Sequence, residues 1–180
     1  MRLFISIPFE GDFKDELIET IEDLKAESYD GKFTDEDNLH LTLAFLGETD
    51  KRDIPYIKDA MIRAVSNLDT TEPLELELGG IGSFSGREKG RTYYREIVRN
   101  KKLNWLAGRL QRELGTDEGR PFKPHITLAR RCRVYDDFNK EGFESELYDC
   151  SMIVNKIVLF ESTLTPSGPI YTPIYTLNID

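Results

Sequence analysis

Leu39-His40-Leu41-Thr42-Leu43 and Pro124-His125-Ile126-Thr127-Leu128 contain the only two histidines of this 180-residue chain, each in the setting His-x-Thr-Leu. Both stretches are apolar and short, with the composition of strands. In a strand, side chains at i and i+2 share a face, so His40 and Thr42 point one way while Leu39, Leu41 and Leu43 point into a core. His125 and Thr127 repeat this opposite Ile126 and Leu128. Chance placement of both histidines in such a setting is on the order of one in ten thousand. Packing alone accepts many other residues at these positions, so packing does not explain the repetition.

Working outward, each histidine strand follows an amphipathic helix and a polar or glycine-containing stretch. Phe13, Leu17, Ile18, Ile21 and Leu24 recur at helical spacing over residues 12–28. Leu103, Leu106, Ala107, Leu110 and Leu114 do so before Gly115, which stops that helix. The two halves therefore read as degenerate copies. Further strands are expected at residues 2–8, 74–78, 91–98, 153–164 and 170–179, and the histidine strands at 39–46 and 125–130. Another helix runs from Ile54 to Leu68, with Asp53 as N-cap and Pro55 in its first turn. The stretch from Gly79 to Gly90, rich in glycine and serine, reads as a mobile loop. The spacing of its glycines does not fit a dinucleotide-binding turn. This order is not the regular alternation of a doubly wound parallel sheet. It predicts one α+β domain over residues 1–180, with mainly antiparallel pairing.

A net charge of −9 argues against a protein that coats long nucleic acid, which requires a basic face. A phosphate ligand would be met locally. Arg87, Lys89, Arg91, Arg95, Arg99, Lys101 and Lys102 form one basic cluster, and Arg120, Lys123, Arg130, Arg131 and Arg133 another. Most of these read as solvated surface charge. Cys132 and Cys150 are too few for a disulfide scaffold or a paired-cysteine metal site, and Cys132 reads as a buried small side chain. No stretch has the pattern of a secretory leader or reaches membrane-spanning length. The expectation is a reduced, cytoplasmic, monomeric protein without metal or other cofactor.

Two imidazoles facing one cleft suit an in-line displacement at phosphorus. With an ordinary pKa of about 6.5, one is neutral and accepts a proton while the other is protonated and donates one. Thr42 and Thr127 can donate hydrogen bonds to non-bridging phosphate oxygens as charge builds there. Spacing does not say which histidine is the acid. Arg130, five residues after His125, falls on the opposite face under strict alternation, and a bulge or strand end would bring its guanidinium to the phosphate. Tyr93 and Tyr94 are candidates for stacking on a nucleobase, and Phe45 is assigned to core packing.

The segments Asn38-Leu39-His40-Leu41-Thr42-Leu43-Ala44-Phe45-Leu46-Gly47 and Arg120-Pro121-Phe122-Lys123-Pro124-His125-Ile126-Thr127-Leu128-Ala129-Arg130 resemble the two-histidine phosphoesterase superfamily. Within it, the chain is most similar to the RNA 2′,3′-cyclic phosphodiesterases, historically called 2′-5′ RNA ligases. The opening Met1-Arg2-Leu3-Phe4-Ile5 and the closing Glu161 to Tyr171 are similar to that family's ends. The chain differs at Ala44, where a basic residue is frequent, and at Tyr93-Tyr94, where tryptophan is. The resemblance implies a bilobal, pseudo-twofold fold of two antiparallel sheets with outer helices and a central groove. It implies hydrolysis of RNA 2′,3′-cyclic phosphate ends to 2′-phosphomonoesters, with His40 as proton donor and His125 as proton acceptor. Thr42 and Thr127 complete the catalytic set, and Arg130 and Tyr94 are expected to bind substrate. Alternatives are a small nucleotide or ADP-ribose cyclic phosphate as substrate, 2′-5′ RNA ligation, and a module that binds RNA ends without turnover.

Overall fold

A computed structural model describes residues 1–85, 89–117 and 119–179. Gly86 and Arg87 lie outside the described residues. The first strand, β1 (Arg2–Pro8), has Leu3, Ile5 and Ile7 fully buried on one face and Phe4 and Ser6 buried on the other. It pairs antiparallel with β3 (His40–Glu48) and with β8 (Lys156–Thr165), which pairs in turn with β9 (Gly168–Asn178). The first sheet is ordered β3-β1-β8-β9. The second is ordered β2-β6-β5-β4-β7, from β2 (Ser28–Phe33), β6 (His125–Val134), β5 (Arg91–Ile97), β4 (Glu75–Ser85) and β7 (Ser151–Ile153). Every pairing is antiparallel. In each sheet a histidine strand lies beside the strand that precedes a long helix, so β3-β1-β8-β9 matches β6-β5-β4-β7, with β2 added at the edge of β6. The sheets do not divide the chain into sequential halves, because β8 and β9 return to the first sheet and β2 joins the second.

The helices cross between the sheets. On α1 (Gly11–Ala26), Phe13, Leu17, Ile21 and Leu24 form a buried stripe that packs against β2 and β6 of the second sheet. On α3 (Lys101–Leu114), Leu103, Leu106, Ala107 and Leu110 are buried, and the helix packs on β3 of the first sheet and on α2 (Ile54–Ser66). Each sheet is thus covered by the helix that leaves the other. Asn100 caps α3 by accepting from the Leu103 N–H, and Gly115 closes it at φ 68°, the left-handed turn for which glycine is suited. A short α4 (Lys140–Ser145) lies beside β4. Among the described residues no helix is long and apolar enough to cross a membrane.

Three local expectations need correction. The glycine-rich stretch is strand as far as Ser85, paired along β5. Its glycines meet close neighbours: a Cβ on Gly82 would stand 2.4 Å from the Tyr94 ring, and one on Gly79 would stand 3.3 Å from Glu96 Cβ. Asp53 sits before α2 without capping it, being already in a 3-10 turn whose cap is Asp50, which accepts from the Arg52 N–H. Arg95, assigned to solvated surface charge, is 1% exposed. Its guanidinium donates to Glu16 Oε1 (3.1 Å), Thr20 Oγ1 (2.9 Å) and the carbonyls of Gly79 and Tyr148, which ties α1 to the second sheet.

Candidate active site

Both histidine strands carry a bulge at the same point of the motif. On β3 the register steps from Thr42, opposite Ser6, to Ala44, opposite Ile5, so Leu43 is the extra residue. On β6 it steps from Thr127, opposite Tyr94, to Ala129, opposite Tyr93, so Leu128 is extra. Leu43 with Ala44, and Leu128 with Ala129, are consecutive buried residues. Alternation restarts one residue late, and the fifth residue after each histidine returns to the cleft face. On β6 that residue is Arg130. On β3 it is Phe45, which is 52% exposed rather than buried as expected.

The imidazoles are held alike and housed differently. His40 Nδ1 donates to the Asn38 carbonyl at 2.6 Å, and His125 Nδ1 to the Lys123 carbonyl at 3.0 Å, so in each ring the backbone engages Nδ1 and not Nε2. With Nδ1 as donor, His40 Nε2 accepts from the Thr42 hydroxyl at 3.0 Å. His40 is half-buried against Phe4 and Tyr171, with ring centroids at 5.0 and 5.1 Å. Burial pushes its pKa below the ordinary imidazole value, the bond to Asn38 opposes that shift, and the charges of Arg130 and His125 add to it. His125 is exposed, with Tyr94 edge-on at 5.5 Å and Phe84 at 6.5 Å.

Thr42, Tyr94 and His125 line one cleft of about 850 Å³, together with Phe45, Phe84 and Phe122. Arg120 and Lys123 line it too and supply positive charge. Thr127 lies opposite Tyr94 on the cleft face of β6, and the charge of Arg130 reaches His40 and Tyr171. Tyr93 is not in the cleft; it is 7% exposed and packs against Phe138. Cys132 is buried against Ser28, and burial raises its thiol pKa, as befits a packing residue. Phe84 and Phe122 of the cleft wall, and Tyr171 beside His40, carry no motif in the sequence that singles them out. Phe84 was hidden in the presumed loop, whereas Tyr171 stands in the closing segment that carries the family resemblance.

The model of the 2′-5′ RNA ligase superfamily matches residues 13–165. An RNA 2′,3′-cyclic phosphodiesterase of Thermotoga maritima is 30% identical, across 97% of this chain and 94% of that protein. One from Bacillus subtilis is 32% identical across 78% and 76%. A crystal structure from Thermus thermophilus superposes with a TM-score of 0.76 at 26% identity, covering 99% of this chain and 98% of that one. E. coli LigT complexed with 3′-AMP gives 0.67 at 25% identity, covering 99% and 97%.

Proposed function

The chain belongs to the 2′-5′ RNA ligase superfamily, and from that membership and the cleft geometry we propose that it hydrolyses RNA 2′,3′-cyclic phosphate ends to 2′-phosphomonoesters. The observation that carries this reading is the contact of β3 with β6, which brings Thr42, Tyr94 and His125 to one cleft while the charges of His125 and Arg130 act on His40. Water attacks phosphorus in line with the 3′ oxygen. His125 Nε2 takes the proton of the water, the P–O3′ bond breaks, and His40 Nε2 gives its proton to the departing oxygen. Thr42, Thr127 and Arg130 donate hydrogen bonds to the non-bridging oxygens, where charge accumulates. The anionic phosphate raises the pKa of His40 on binding, which loads the acid and releases the Thr42 hydroxyl toward phosphate.

Tyr94, beside His125, forms part of the wall against which the nucleoside lies. All these groups come from one chain, which supports action as a monomer, and two free thiols support a reducing cytoplasmic setting. Turnover of a short RNA with a 2′,3′-cyclic phosphate end tests the proposal, compared with a cyclic mononucleotide. Strong preference for the mononucleotide would overturn the RNA reading. Histidines, hydroxyls and a guanidinium supply proton transfer and charge stabilisation without a metal ion, so activity is expected to survive EDTA. Loss in EDTA with recovery on adding one divalent ion would defeat the mechanism.

A further inference from the structure

The two histidines have matching aromatic neighbours supplied by different strands. In the second sheet the residue opposite Thr127 is Tyr94, whose ring stands edge-on to His125 at 66°. In the first sheet the residue opposite Thr42 is Ser6, which has no ring to offer and whose buried hydroxyl has no hydrogen-bond partner among the described residues. The ring beside His40 comes instead from Tyr171 on β9, edge-on at 88°. Tyr171 packs on Phe4 at 4.9 Å, which fixes the ring over β1. Its hydroxyl makes no hydrogen bond among the described residues, and the charges of both Arg130 and Arg2 act on it. A half-buried phenol that stands beside the His40 imidazole and lacks an acceptor is suited to an anion.

We propose that Tyr171 is a further substrate-contacting residue, whose hydroxyl donates a hydrogen bond to a non-bridging oxygen of the phosphate held by Arg130. The inference rests on the phosphoesterase reading above. It gives each histidine a tyrosine, with Tyr94 on the side of the attacking water and Tyr171 on the side of the departing oxygen. The packing of Tyr171 also keeps His40 partly dry, and a drier surrounding strengthens the hydrogen bond its hydroxyl makes to phosphate.

Tyr171→Phe keeps the ring and removes the donor. The variant should raise the Michaelis constant for cyclic-phosphate RNA and the inhibition constant of inorganic phosphate, each by roughly ten- to a hundredfold, the usual effect of losing a hydrogen bond to a charged group. Tyr171→Leu should lose this and, in addition, shift the pH limb that belongs to His40. Parental constants in Tyr171→Phe, with loss only in Tyr171→Leu, would overturn the proposal and leave a packing role. Calorimetric titration of parent and Tyr171→Phe with inorganic phosphate separates the two readings. A parent that binds phosphate but turns over no cyclic phosphate defeats the function and not the contact, whereas equal phosphate affinities defeat the contact.

Discussion

Burial of His40 between Phe4 and Tyr171 favours its neutral form, and the sign of that shift is open to experiment. A proton donor must be protonated, so the His40 contribution to kcat/KM falls as pH rises through a pKa below the ordinary imidazole value of about 6.5. Bound phosphate raises that pKa, so the alkaline limb of kcat should lie at higher pH than that of kcat/KM. His40→Ala should abolish the alkaline limb and His125→Ala the acid limb. Each should lower turnover by roughly two to four powers of ten, and the double variant should be little worse than the poorer single one. Loss of the acid limb in His40→Ala would exchange the two roles, and a flat parental profile would remove both from proton transfer. Arg130→Ala should raise KM more than it lowers kcat, because a guanidinium on phosphate acts in ground and transition states alike. Separate measurement of the two constants checks this, and a fall in kcat alone would assign Arg130 to the transition state.

At the scale of the element, one extra leucine in each histidine strand decides which side chains reach the cleft. Without the bulges at Leu43 and Leu128, Phe45 and Arg130 would face the core side. The neighbouring β4 shows the reverse economy, since Gly82 is bare where the Tyr94 ring crosses it. Gly82→Ala should therefore displace Tyr94 from beside His125 and leave the sheet intact, because the atoms in the way are the outer end of the tyrosine ring. Expected is a fall in kcat/KM similar to that of Tyr94→Ala, with a melting temperature close to the parent's. Kinetics and thermal unfolding test it together; full activity would show that the ring has room to move without consequence.

At the scale of the molecule, the helices that exchange sheets make the cleft a property of the whole chain. The junction of α1 with the second sheet is a buried ion pair, Arg95 with Glu16, and it lies behind β5, whose other face carries Tyr94. Glu16→Ala leaves the guanidinium buried without its counter-charge and should lower unfolding free energy by about 3–5 kcal/mol. Urea unfolding measures it, and a change within about 0.5 kcal/mol, the usual range for a surface substitution, would show that water replaces the carboxylate. Activity in the remaining folded fraction should persist, since neither residue faces the cleft.

Sequence alone determined the antiparallel α+β class and singled out the residues proposed for the chemistry. Two histidines in the same His-x-Thr-Leu pattern and the periods of the helices and strands are local signals, written in consecutive residues. Local signals do not record a register. The bulges that return Phe45 and Arg130 to the cleft side of their strands are set by β1 and β5 alongside, and the strand character of residues 79–85 goes with the β5 side chains that cross its glycines. Arg95 looked like surface charge because its partner lies 79 positions away on α1. Tyr171 reaches His40 only because the chain's last strands return to its first sheet. Tertiary structure decided these points because burial and pairing depend on neighbours distant in sequence.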